Sequence, residues 1–113
     1  MEGKPYDLSQ VKMFLGNDKQ QLGNMINIFL NEIPSMLDAL NEHTRKNDFD
    51  EVRFFAHKLK SSIDLFQING LQTDIRVLEK LAVEKTDIPA LQQYVSGITH
   101  SLEHVMQEMK NEL

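Results

Sequence analysis

The chain has no cysteine and no tryptophan, and only three prolines and five glycines among its 113 residues. The absence of cysteine excludes disulfides and thiolate metal sites, and it suits a reducing compartment. No apolar run approaches the roughly 18 residues that a bilayer-spanning helix needs, and the opening Met1-Glu2-Gly3-Lys4-Pro5-Tyr6 carries no apolar signal region. A soluble, cytoplasmic protein without a membrane partner is expected. Basic residues are in the minority, twelve against seventeen acidic, which leaves a net charge of −5. That sign is wrong for gripping a phosphate backbone, so no nucleic-acid partner is expected. The glycines are scattered and make no phosphate-binding loop, so the chain is not expected to phosphorylate itself from ATP.

A chain of this length holds one domain with one core, residues 1–113 with the core over roughly 7–110. Nothing alternates with period two, so no sheet is expected. Helical periods run throughout. Asp7 or Ser9 caps a short first helix through Phe14, and Gly16-Asn17 ends it, with Asn17 offering the next cap. From Asp18 to about Lys46, Leu22, Met25, Ile26, Phe29, Ile33, Met36, Leu37 and Leu40 share one face, and Pro34 predicts a kink near Leu30 to Ile33. Asp48, Asp50 and Glu51 open a third helix, whose stripe is Val52, Phe55, Leu59, Ile63 and Phe66. A fourth runs from Leu71 to about Glu84 on Leu71, Ile75, Leu78 and Ala82. A fifth, capped by Thr86-Asp87, buries Leu91, Tyr94, Val95, Ile98, Leu102, Val105 and Met109. Gly97 is either a weak spot or a close-packing point. The economical solution is all-α: an antiparallel four-helix bundle with a short additional N-terminal helix, expected to be a monomer.

The third helix carries the chemistry. His57 projects about 160° away from Leu59, so it faces out of the core, with Ser61 one turn along and Lys60 to one side. An outward neutral imidazole has a lone pair on one nitrogen and can hold a phosphoryl group as a labile phosphoramidate. Lys60 places an ammonium where it offsets charge on phosphoryl oxygens, and the hydroxyls of Ser61 and Ser62 can orient them or a water. Phe54, Asp64, Leu65 and Ile68 form a candidate partner-docking set. For Leu65 and Ile68 the competing reading is packing under the first helix. His100 and His104, four apart with Glu103 and Glu108 nearby, make a weak metal site at best. His43, near a helix end, reads as structural.

His57-x-Leu59-Lys60-x-Ser62 within a long amphipathic helix resembles the signature of histidine-containing phosphotransfer domains. Phe29-Leu30-Asn31-Glu32-Ile33-Pro34 resembles that family's second-helix phrase, and Leu71 falls where the family usually opens its next helix. The resemblance implies a bundle that relays a phosphoryl group between receiver-domain aspartates in two-component signalling. It implies partners that are response-regulator receiver domains, with a hybrid sensor histidine kinase as a further candidate. No cofactor is implied for this chain, because in the family the receiver supplies the carboxylates and magnesium. Two positions depart from the pattern: Ser61 stands where glycine most often follows the lysine, and Gln67 where a glycine often lies ten residues after the histidine. The chain-reversing role of the latter is expected to pass to Asn69-Gly70. The alternative function is a receiver- or helix-binding module that is never phosphorylated.

Overall fold

Short polar breaks between amphipathic stretches divide the chain into helices. The computed structural model describes residues 4–16 and 18–113. Among these, α1 spans Ser9–Leu15, α2 Lys19–Arg45, α3 Phe49–Leu65, α4 Leu71–Glu84 and α5 Ile88–Met109, followed by a 3-10 turn at Lys110–Glu112 and no strand. Helices α2, α3, α4 and α5 pack in cyclic order, with α5 closing against α2. Asp64 pairs with Arg76 while the earlier Lys60 pairs with the later Glu79, so α3 and α4 run antiparallel. The expected architecture is therefore present: an all-α bundle with a short additional N-terminal helix.

Local chemistry sets the boundaries. Asp7 Oδ1 accepts from the Ser9 amide at 2.8 Å at the start of α1. The cap expected at Asn17 lies outside the described residues; Asp18 caps α2, its carboxylate accepting from the amides of Gln20 and Gln21 at 3.0 and 3.1 Å. Asp87 accepts from the Ala90 amide at 3.3 Å, with Pro89 in the first turn of α5 where its missing donor costs nothing. Helix α2 runs through Pro34 without a break.

The core is the superposition of the helical stripes, including Ile33, Leu40, Val52, Leu59, Ile63, Ile75, Leu78, Leu91 and Leu102, each fully enclosed. Four expectations change. Ala56, not Phe55, completes the inner stripe of α3, because it stands three and seven residues before Leu59 and Ile63 on the fully buried face, while Phe55 lies half-buried at the edge of that face and packs against the core. Gly97 faces open space, so it is not a close-packing point. Left-handed backbone appears already at Gln67, with φ 46°, as well as at Gly70 with φ 82°, so the helix reversal is shared and not passed wholly to Asn69-Gly70. Ile68 is only 1% exposed and belongs to the core. The strap before α1 crosses the same turn: Asn69 donates to the Pro5 carbonyl and Asp7 to the Phe66 carbonyl, both at 3.0 Å. An interior side chain offers no docking surface, which removes Ile68 from that set, while Leu65 is half-buried against the core.

Candidate functional site

Helix α3 presents one side to the core and the opposite side to solvent, and this division positions His57. With Val52, Ala56, Leu59 and Ile63 turned inward, the His57 side chain stands 66% exposed. Its Nδ1 lies 3.0 Å from Oε2 of Glu79, which reaches across from α4. Lys60, one turn further along α3, donates to the other oxygen of the same carboxylate at 2.8 Å. One carboxylate thus joins the imidazole and the ammonium. Glu79 is only 17% exposed. Burial pushes its carboxyl upward, yet hydrogen bonds from Lys60 and His57 outweigh this and hold it below the usual carboxylate range.

The arrangement assigns the ring nitrogens. A carboxylate can only accept, so in the neutral imidazole Nδ1 carries the proton it donates and the lone pair is left on Nε2, the ring nitrogen farther from the backbone. The same carboxylate fixes the ring's orientation. Hydrogen bonds of this kind, between charged or charge-seeking groups across two helices, define direction as well as energy.

Around this cluster the expected site residues part company. Ser61 is exposed and Ser62 half-buried, and both line a groove of about 400 Å³ between α2 and α3 together with Glu32, Ser35, Met36 and Lys58. Phe54 is half exposed, edge-on to Phe55 at 5.1 Å between centroids. The Lys58 ammonium lies 4.9 Å from the Phe54 ring centroid. Asp64 is held by Arg76, its two oxygens accepting from the guanidinium at 3.0 and 2.6 Å. The guanidinium hydrogen bonds hold the Asp64 carboxyl below the ordinary aspartate range. Asp64 is therefore already paired within the bundle. His43 stacks on Phe55, centroids 5.8 Å apart and planes 13° from parallel. No group of three or more metal-ligating side chains occurs among the described residues, His100 and His104 included.

Glu79 is the residue that reasoning from the sequence missed. A signal for it existed: Arg76, Glu79 and Val83 recur at three- and four-residue steps beside the buried stripe of α4, which is formed by Leu71, Ile75, Leu78 and Ala82. An antiparallel neighbour brings such a shoulder against α3, but which rung meets His57 depends on the turn at Phe66–Gly70, whose length in space the periodicity does not give.

The Hpt domain family model matches residues 24–112, most of the chain. No curated protein and no solved structure matches it.

Proposed function

The chain belongs to the Hpt domain family, and from that premise we propose that it relays phosphoryl groups through His57. The reading rests on one observation above the others: His57 is exposed while Glu79 occupies its Nδ1 side, which leaves Nε2 as the nucleophile. In the proposed step the Nε2 lone pair attacks the phosphorus of an aspartyl phosphate on a receiver domain. The N–P bond forms as the acyl P–O bond breaks, and the departing electron pair stays on the aspartate carboxylate. The ring keeps its Nδ1 proton and becomes cationic, and the facing Glu79 carboxylate offsets that charge. The reverse step returns the group to a second receiver.

Within this proposal Lys60 acts at contact range. Held at Glu79 one turn from the histidine, its ammonium needs only a small side-chain rotation to meet a phosphoryl oxygen. Ser61 and Ser62 stand on the groove side, where their hydroxyls serve the remaining oxygens. Magnesium is assigned to the receiver. What this chain contributes is a positioned nucleophile in a defined tautomer, which accounts for much of the gain when two reactants are held in line.

The test is direct. Incubation with receiver domains phosphorylated by a small phosphodonor is expected to leave acid-labile, alkali-stable label on the chain. His57→Gln is expected to abolish the label with a nearly unchanged melting temperature, since an exposed side chain contributes little to packing. Equal labelling of the variant would remove His57 from the reaction. Receiver binding with no label on the wild type would instead favour the unphosphorylated interaction module.

A further inference from the structure

Two lysines lie within one turn of His57, and the bundle treats them differently. Lys60 is 25% exposed and spends its charge on Glu79 at 2.8 Å. Lys58 points to the groove side of α3, where its ammonium rests over the Phe54 ring at 4.9 Å. Among the described residues no carboxylate lies within 4.0 Å of the Lys58 ammonium. An exposed cation–π contact is weak and easily exchanged for a charged partner.

These facts separate attraction at a distance from stabilisation at contact. A salt bridge presents almost no net charge beyond its own length, so the Lys60–Glu79 pair does little to draw an anionic partner from solution. The chain as a whole carries −5 and repels an acidic surface. A surface that must receive a phosphoaspartate and its metal-binding carboxylates therefore needs a local positive point to set its orientation, and an uncompensated cation beside the nucleophile supplies one. Glu32 lines the α2 wall of the same groove but is not within 4.0 Å of the Lys58 ammonium.

We propose that Lys58, resting on the exposed Phe54 ring at the mouth of the α2–α3 groove, is a specificity-determining residue that steers the acidic phosphoacceptor cleft of a receiver onto His57. On docking, the ammonium leaves the ring for a receiver carboxylate, and the vacated Phe54 face becomes apolar contact area. Lys60 takes no part in this steering and acts only on the phosphoryl group once it has arrived. The inference rests on the phosphotransfer reading above.

Single-turnover transfer from phosphorylated receiver to the full chain, measured over a range of receiver concentrations and salt concentrations, separates the two lysines. Lys58→Ala is expected to raise the half-saturating receiver concentration about threefold to tenfold, leave the saturating rate within about twofold, and flatten the salt dependence. Lys58→Arg is expected to retain wild-type behaviour. Lys60→Ala is expected to do the reverse, lowering the saturating rate with little change in half-saturation. A Lys58→Ala protein with wild-type half-saturation and wild-type salt slope would overturn the proposal, as would a loss confined to the saturating rate. If the wild type takes no label at all, the phosphotransfer reading fails. Titration of unphosphorylated receiver against the same variants then still decides the steering role, through the salt dependence of binding.

Discussion

The two flanks of α3 on either side of His57 are built on opposite plans. Toward α4 the seam is closed by charge: His57 and Lys60 share Glu79, Asp64 grips Arg76, and Lys85 stands 3.6 Å from Asp50 at the far end. Toward α2, no ion pair among the described residues crosses beside His57; at the interhelical turn the His43 ring lies 3.5 Å from the Asp48 carboxylate. An open groove with an unpaired lysine takes its place. For the nucleophile proposed at His57, this asymmetry lets the ring be both aimed and reachable. Closing both flanks would bury Nε2, and opening both would leave the ring free to rotate.

Breaking the closed flank at its centre is expected to have the largest effect. Glu79→Ala removes the acceptor at Nδ1 and leaves Lys60 without its partner, so the ring loses both tautomer and direction. Transfer is expected to slow by about tenfold to a hundredfold, the scale of a modest misplacement of a reacting group. Nitrogen chemical shifts of the His57 ring give a readout that a merely structural role would not move: the wild type is expected to carry its proton on Nδ1, and the variant to shift toward Nε2. Glu79→Gln, whose amide oxygen still accepts, is expected to keep the tautomer and much of the rate. An unchanged tautomer and rate in Glu79→Ala would remove the residue from the site.

Acid probes the same contact without mutation. Because the Glu79 carboxyl is held below its ordinary value of 4.5, its contribution to stability is complete above that value and is lost as pH falls through the lower folded value. Urea midpoints are expected to decline below about pH 4.5, and the decline is expected to be shallower in Glu79→Gln, which has no proton to take up there. Parallel pH profiles for the two proteins would show that the pair contributes nothing to the seam. Other depressed carboxyls, Glu42 and Glu112 among them, titrate in both proteins, so only the difference between profiles reports on Glu79.

How much of this was legible in the sequence divides along the same line. Period and punctuation gave the five helices, the cap at Asp87, and a His57 that faces solvent, because each depends on residues within one or two turns; Asp18, which caps α2, was not among the expected caps. The exchange of Phe55 for Ala56 in the core shows the limit of that reasoning: hydrophobicity marks a stripe about 100° wide, and which residues of it are fully enclosed depends on the helices packed against it. Contacts between helices were not legible. Glu79 lies 22 positions from His57 and Arg76 lies 12 from Asp64. Their register is set by how the Phe66–Gly70 turn reverses, with Gln67 adopting left-handed backbone in the absence of a glycine. Ile68 was ambiguous for the same reason, since its side of the turn is covered by a strap from the far N-terminal end of the chain.

The smallest expected effect comes from the outer rung of the closed flank, and it decides whether the seam acts as a unit. Asp64 and Arg76 are 36% and 51% exposed, so their pair is partly screened by water despite its two-point geometry. Asp64→Asn is expected to cost no more than about 1 kcal/mol of stability, with most of its loss above the lowered Asp64 value where the carboxylate is charged. Transfer to His57 is expected to stay within about twofold, because Glu79 and Lys60 hold the imidazole without help from this rung. Receiver affinity is expected to be equally insensitive, since the Asp64 oxygens are already occupied by the guanidinium. The measurement is a urea melt beside a single-turnover assay on the same preparation. A tenfold loss of transfer with little loss of stability would mean that the charge pairs along α3 and α4 orient the histidine together, and that the asymmetry of the two flanks extends the length of the helix rather than one turn around His57.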